Sequence, residues 1–86
     1  MRVAIIGQGY VGLTIAVDSA GAGHTVVGFD VNAELVKKLN VGHSHIEGIT
    51  DSHLGSLIES GSYSASSNPS TLAGCEVIVI AVPTPL

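Results

Sequence analysis

Short apolar runs alternate with amphipathic segments from the start of the chain. The run VAII, residues 3–6, is rich in β-branched side chains and ends at a glycine, as a strand buried on both faces of a sheet does. Apolar residues then recur at helical spacing over residues 10–20, and the GAG at 21–23 supplies a helix stop. TVVGFD, residues 25–30, has the composition of a second strand. This part of the chain predicts a β-α-β unit.

Two more helices are predicted from their caps and apolar spacing. Asn32 can cap the first of them through its side-chain oxygen, and Gly42 ends it. The loop that follows leads to a helix over residues 51–60, with Thr50 or Asp51 as its cap. The connection between these helices, GHSHIEGIT, shows no clear period and is interpreted as a loop.

The last third of the chain predicts two strands joined by a helical turn. SYSAS, residues 62–66, is a weak, short edge strand, and NPSTLAG, residues 68–74, places proline at the first position of one helical turn. EVIVIAV, residues 76–82, has the strongest strand pattern in the chain. Together these elements predict a three-layer α/β fold with a mostly parallel sheet in the order 3-2-1-4.

Length and charge narrow the classes of function. The 86 residues allow one small domain, and 45% hydrophobic residues are too many for a disordered chain. The formal net charge is −4, and the three basic residues leave little to neutralise nucleic acid or an anionic membrane. We therefore expect neither as a partner.

The N-terminus has some features of a secretory signal, because Met1-Arg2 precedes an apolar run and SAGA follows. Gly7, Gln8 and Gly9 interrupt that run, and Asp18 falls where it should continue, so we expect no signal peptide. No run reaches the length of a membrane span.

The single cysteine, Cys75, can form no internal disulfide, and we interpret it as a half-buried core thiol. The expected location is the cytoplasm.

Three glycines in a GxGxxG spacing follow the first strand and open the first helix. Gly7 permits a tight turn, Gly9 removes the Cβ that would strike a bound phosphate, and Gly12 lets the helix lie close to the strand. Unpaired N–H groups and the helix dipole favour a pyrophosphate at this point. Asp30, at the end of the second strand, is placed to accept hydrogen bonds from ribose hydroxyls. The pattern indicates a Rossmann-type dinucleotide site.

NAD is the favoured ligand, although FAD and S-adenosylmethionine sites share parts of the pattern. Val31 and Asn32 follow Asp30, and no arginine stands there to receive a 2′-phosphate, which favours NAD over NADP. Tyr10 and Val11, inside the loop sequence GYVGL, are further candidate cofactor contacts. Tyr10 either packs over the cofactor or packs against the next element.

Four segments resemble the UDP-glucose/GDP-mannose dehydrogenase family: GQGYVGL, GHTVVGFD, GHSHIEGITDSHL and VIVIAVPTPL. The resemblance spans the chain, and its most selective parts are GYVGL and the terminal VPTP. It implies an enzyme that oxidises the C6 alcohol of a nucleotide sugar to a carboxylate while reducing two NAD. It also places Val82, Pro83 and Thr84 where the fourth strand meets the cofactor, with Thr84 on the nicotinamide side.

The same resemblance indicates which parts this chain lacks. Residues 1–86 correspond to an N-terminal NAD-binding domain, the first half of a Rossmann fold, and the cysteine nucleophile and sugar site of the family belong to sequence outside them. Cys75 is not that nucleophile, so we expect these residues alone to be inactive. SHIEGI is closer to the branch that uses UDP-N-acetylhexosamines than to the UDP-glucose branch. The expected partners of the complete protein are NAD, a UDP-sugar and further copies of itself.

Two alternatives concern other ligands and other roles. The histidines at 43, 45 and 53 lie near Glu47 and Asp51, but their spacing matches no recognised ligand pattern, and we expect no metal. A non-enzymatic NAD-sensing module would use the same glycine loop, and composition does not separate it from a dehydrogenase.

The apolar run over residues 77–82 contains no lysine or internal proline that would oppose pairing with another strand. It predicts that an isolated chain self-associates through its fourth strand.

Overall fold

A parallel four-stranded sheet carries the fold. The computed structural model describes residues 1–82. The strand order is β3-β2-β1-β4, and every pairing is parallel. The elements in chain order are β1 (Arg2–Ile6), α1 (Tyr10–Gly21), β2 (Thr25–Phe29), α2 (Ala33–Asn40), α3 (Asp51–Glu59), β3 (Tyr63–Ser66), a short 3-10 helix (Pro69–Leu72) and β4 (Val77–Ile80). The predicted fold class and strand order are confirmed.

Side-chain caps set the start of two helices. The Asn32 side chain accepts a hydrogen bond from the Leu35 backbone N–H, 3.1 Å away, and so begins α2. At α3 the cap is Thr50 and not Asp51, because the Thr50 hydroxyl accepts from the His53 N–H at 3.1 Å. Asp51 instead accepts from the Ser44 N–H, which ties the preceding loop to the helix.

The main core lies between the sheet and the three helices. Val3 and Ile5 of β1 face Leu13 and Ala16 of α1. Val26 of β2 and Tyr63 of β3 extend the same apolar face. The loop between α2 and α3 also contributes, because Ile46 and Ile49 are buried. Alternation along the strands explains which residues reach this core, since neighbouring side chains point to opposite faces.

The other face of the sheet has a thinner cover. Right-handed crossovers place α1 and α2 on one face, so the return from β3 to β4 passes over the opposite one. That return consists of residues 67–76 with the short 3-10 helix, which lies against β2. Ala4 and Val27 are buried there, but Ile78 and Ile80 of β4 are 53% and 73% exposed. The third layer is therefore present over β2 and thin over β4.

The two edge strands of the sheet differ in whether their backbone groups are hydrogen-bonded on the outer side. The Asn40 side chain donates to the Ala65 carbonyl at 2.8 Å and accepts from the Ala65 N–H at 2.9 Å, as a further strand beside β3 would. In residues 1–82, β4 pairs with β1 and its other edge has no comparable cover. Edge strands of this kind are templates for pairing with another chain.

We predict that the 86-residue chain self-associates through β4 and that Ile80→Lys weakens this association by at least about 10-fold, because a lysine on an edge strand opposes pairing with the apolar strand of another copy. Light scattering over a dilution series measures the effect. Val41→Lys is the matched control, since Val41 is exposed and lies outside the sheet. A parent chain that stays monomeric at high concentration contradicts the prediction, and equal association of both variants moves the contact elsewhere.

Candidate functional site

The carboxyl ends of β1, β2 and β4 meet at one edge of the sheet. The chain leaves β1 toward β2 on one side, while β4 lies on the other side of β1, so the order of connections reverses between β1 and β4. In open α/β sheets, ligands bind outside the strand ends at such a switch point. The glycine loop, residues 7–9, and Asp30 both lie at this edge.

Gly7 makes the turn that leaves β1. Its φ of +93° lies in the left-handed region, which side chains disfavour. A Cβ at Gly7 would also lie 2.9 Å from Val82 Cγ1 and 3.0 Å from the Ala81 carbonyl oxygen. The Gly7 N–H donates to the Phe29 carbonyl at 2.7 Å, which holds the turn against β2. Both the conformation and the space at this position therefore require glycine.

Gly9 and Gly12 differ in their surroundings. A Cβ at Gly12 would collide with the Gly7 carbonyl oxygen, so glycine allows α1 to pack directly on the turn. A Cβ at Gly9 would meet nothing within 4 Å. Gly9 is the N-cap of α1 and supplies no side-chain cap, and the first N–H groups of a helix have no partner within it. This helix end presents backbone donors to an open space.

Asp30 follows β2 and is held by two backbone donors. Its Oδ2 accepts from the Gln8 N–H at 2.8 Å, and its Oδ1 accepts from the Asn32 N–H at 2.9 Å. The carboxylate is half-buried beside the glycine loop, and each oxygen retains a lone pair for another donor. Asp30 is therefore fixed in orientation and still able to accept hydrogen bonds from a ligand.

A buried polar network lies beneath the loop. The Gln8 side chain is fully buried, and its Nε2 donates to the carbonyls of Ile5 and Gly7 at 3.1 and 2.9 Å. The Tyr63 hydroxyl of β3 donates to Gln8 Oε1 at 2.7 Å. Burial raises the pKa of Tyr63 above its usual value, and the negative charge of Asp30 adds to the shift.

Two clefts open at this edge. One of about 340 Å³ is lined by Gly9, Tyr10, Val11, Ala81 and Val82. A smaller one of about 70 Å³ lies at Asp30 and is lined by Ile6, Gly7, Phe29, Asp30, Val31 and Val82. Val82 borders both clefts, while Gly9 borders only the larger one and Gly7 only the smaller one.

The structure brings most of the candidate cofactor residues to these clefts. Gly7, Gly9, Gly12 and Asp30 form the loop and its neighbour, and Val82 lies between the two clefts. Tyr10 and Val11 line the larger cleft and are 71% and 59% exposed. Tyr10 thus stands beside the cleft with most of its ring open to solvent. Pro83 and Thr84 lie outside the described residues.

Three residues that shape this edge were missed by sequence reasoning: Gln8, Tyr63 and Gly28. A Cβ at Gly28 would collide with Gln8 Oε1, so the glycine leaves room for the buried carboxamide. Its position inside a strand was the available signal, because an interior glycine often marks the close approach of another group. Gln8 and Tyr63 carried no such signal, since they are 55 residues apart.

The remaining candidate chemistry lies away from this edge. Cys75 is half-buried, and its Sγ lies 3.8 Å from the Thr71 carbonyl oxygen. His43 Nδ1 lies 3.3 Å from Asp51 Oδ2 on the protein surface. Within residues 1–82, no three His, Cys, Asp or Glu side chains are grouped so that they could hold a metal ion. Glu47 is exposed.

None of the helices in the described part of the chain has the length and apolar character needed to span a bilayer.

The fold and the glycine loop together define a dinucleotide-binding domain of the Rossmann type. Residues 1–86 match the model of the UDP-glucose/GDP-mannose dehydrogenase family, NAD binding domain. The chain therefore belongs to the UDP-glucose/GDP-mannose dehydrogenase family, as its sequence resemblance predicted, and its cofactor is NAD.

Relatives and a solved structure agree with this assignment. The chain is 39% identical to UDP-N-acetyl-D-mannosamine dehydrogenase of Pyrococcus horikoshii, over all of this chain and 21% of the relative. It is 37% identical to UDP-N-acetyl-D-glucosamine 6-dehydrogenase of Pseudomonas aeruginosa, over all of this chain and 19% of the relative. The solved P. horikoshii structure superposes with a TM-score of 0.94, over 100% of this chain and 21% of that one. The chain spans about a fifth of the length of these relatives.

The two glycines give a matched pair of stability predictions. Gly12→Ala should destabilise the chain by about 2 to 3 kcal/mol, because the added methyl group would overlap sterically with the Gly7 carbonyl oxygen. Gly9→Ala should cost less than about 1 kcal/mol, because its methyl meets open space and alanine is only a poorer N-cap. Urea unfolding measures both. Equal losses would contradict the assigned packing.

Tyr63 should make the chain sensitive to alkaline pH. The pKa of Tyr63 is raised on folding, so its stabilisation is complete below the unfolded value of about 10 and is lost as the pH rises above it. The free energy of unfolding should therefore fall by up to about 1.4 kcal/mol per pH unit through this group.

Urea unfolding between about pH 9 and about pH 11.5 tests this expectation. Tyr63→Phe should show a shallower alkaline loss than the parent chain. Tyr10→Phe, at the other tyrosine, is the control and should retain the parent slope, because it leaves Tyr63 buried. Parallel curves for the parent and Tyr63→Phe would contradict the prediction.

Proposed function

We propose that this chain is the NAD-binding part of a nucleotide-sugar dehydrogenase, which oxidises the C6 alcohol of a UDP-sugar to a carboxylate and reduces two NAD. Membership of the family and the names of the two relatives support this reaction class. NAD supplies the hydride acceptor. The described residues contribute the binding and orientation of that cofactor.

The N-terminus of α1 holds the pyrophosphate. Its free N–H groups and the positive end of the helix dipole favour an anion, and the first turn carries no acidic side chain to oppose one. Gly9 leaves the approach open, because even a methyl group there would occupy the space that the phosphates need. Tyr10, Val11 and Val82 line the larger cleft and contact the cofactor on the nicotinamide side of the loop. Pro83 and Thr84 continue from Val82, and their cofactor role rests on the family resemblance.

Asp30 holds the adenosine ribose, and its fixed carboxylate is the observation that carries the proposal. Two backbone N–H groups orient Asp30, and its remaining lone pairs accept from the ribose hydroxyls. The smaller cleft beside Asp30 is lined by apolar groups, backbone and this one carboxylate, with no cation among its described residues. A 2′-phosphate would meet a negative charge there with nothing to neutralise it. The cofactor is therefore NAD and not NADP.

A UDP-N-acetylhexosamine is the proposed substrate. The SHIEGI segment resembles that branch of the family, and both relatives are named for UDP-N-acetyl sugars. Within this segment Ile46 and Ile49 are buried in the core, so these two residues also contribute to the packing of the loop between α2 and α3. The family resemblance assigns the sugar site and the catalytic residues to sequence outside residues 1–86. We expect the complete protein to form a homo-oligomer.

The cofactor preference can be measured directly. NADH should bind at least about 10-fold more tightly than NADPH, since a difference of about 1.4 kcal/mol corresponds to that factor. Asp30→Asn should reduce the preference to about 3-fold or less, because it removes the charge that repels a 2′-phosphate. Calorimetric titration of both ligands gives the two ratios.

Asp18→Asn is the matched control, because Asp18 is an exposed carboxylate on α1 away from both clefts. It should retain the preference of the parent chain. Binding of NADPH as tightly as NADH by the parent would remove Asp30 from its proposed role.

A further inference from the structure

Among the described residues, Gln8 is the one buried residue with an amide or charged side chain, and it is 0% exposed. It lies between two glycines of the loop but points away from the open space at Gly9. All hydrogen-bonding groups of its carboxamide are used, with Nε2 on two carbonyls and Oε1 on the Tyr63 hydroxyl. One of those carbonyls belongs to Gly7, against which Gly12 packs. The carboxamide therefore stabilises the glycine loop from its buried side.

The backbone of the same residue holds Asp30. The Gln8 N–H donates to Asp30 Oδ2 at 2.8 Å, one of the two bonds that orient this carboxylate. The Gly7 carbonyl that the carboxamide holds and the Gln8 N–H belong to the same planar peptide group, so a shift of the carboxamide that moves this carbonyl also moves the N–H. The orientation of the Asp30 carboxylate is thus coupled to the position of the Gln8 carboxamide.

Tyr63, on the edge strand β3, fixes the position of the Gln8 carboxamide. It lies on β3 in register with Val26, and its hydroxyl passes over Gly28 to reach Gln8 Oε1 at 2.7 Å. Gly28 provides the room, since a Cβ there would collide with Gln8 Oε1. Tyr63 lines neither cleft, and its ring is 1% exposed. Tyr63 therefore acts on a ligand only through other residues, and its hydroxyl is hydrogen-bonded to Gln8.

We propose that Tyr63 is a positioning residue for ribose recognition: its hydroxyl fixes Gln8, and Gln8 in turn fixes Asp30 toward the ribose hydroxyls of the cofactor. The inference rests on the proposed role of Asp30 in NAD binding. It adds a residue on β3 that tunes recognition without touching the ligand. Replacement by phenylalanine removes the donor and leaves Gln8 Oε1 buried without a partner, so the carboxamide and the N–H above it move.

The test compares ADP with 2′,3′-dideoxy-ADP, because these probes share the base and phosphates and differ in the ribose hydroxyls. The chain should bind ADP about 10-fold more tightly than the dideoxy compound, as expected for hydrogen bonds to a charged acceptor. Tyr63→Phe should lower this ratio to about 3-fold or less. NMR titration of the backbone amides measures both dissociation constants even when binding is weak.

Two controls separate positioning from stability. Leu54→Val reduces packing at a buried position of α3 and should retain the parent ratio even though it lowers stability. Asp30→Asn should reduce the ratio at least as far as Tyr63→Phe does. If Tyr63→Phe does not fold in buffer, both it and the parent chain are measured in trimethylamine N-oxide, an osmolyte that stabilises compact states, and the variant should give the same low ratio there.

The outcomes are distinguishable. Weaker binding of both probes by the same factor in Tyr63→Phe, or no change in either, overturns the positioning role while leaving the role of Asp30 intact. An unchanged ratio in Asp30→Asn, or equal binding of the two probes by the parent chain, contradicts the proposed function itself and the inference with it.

Discussion

The hydrogen bonds of the buried Gln8 carboxamide hold together the part of the fold on which the cofactor site depends. A loop that leaves a central strand and turns into a helix must bury backbone carbonyls, and each buried carbonyl needs a donor. The Gln8 Nε2 group donates to the carbonyls of Ile5 and Gly7, and Gln8 Oε1 accepts a hydrogen bond from the Tyr63 hydroxyl. Strands β1 and β3 are thereby connected across β2 beneath the glycine loop.

This constraint explains why the glycines stand where they do. Gly28 gives the carboxamide room, Gly7 has the positive φ of the turn, and Gly12 allows α1 to rest on the carbonyl that Gln8 holds. Gly9 differs from these three because the fold makes no demand for space there. Gly9 therefore has no packing reason to be glycine, and we propose that the phosphates of the cofactor need the space beside it.

The sequence predicts the local parts of this arrangement well and the long-range parts poorly. Strand order and helix caps follow from periodicity and from short-range signals, although only the structure chooses Thr50 over Asp51 as a cap. The contact between Gln8 and Tyr63 joins a loop to a strand that reads as weak and polar, and no local pattern predicts it. The run at 76–82 predicts a longer strand than Val77–Ile80, because apolar composition continues past the last paired residue. The position of Asp30 directly after β2 could be anticipated from the sequence, but the two N–H groups that orient its carboxylate could not.

The most direct test of the account is an amide chemical-shift map of the chain titrated with NAD. The account predicts that the largest changes fall on the amides of residues 9–12, at the start of α1, and of residues 30–32, around Asp30. The loop over residues 43–50 should change little, since none of its residues lines either cleft. Largest changes in that loop, or on the exposed face of β4, would contradict the central claim that NAD lies across the carboxyl ends of β1 and β2.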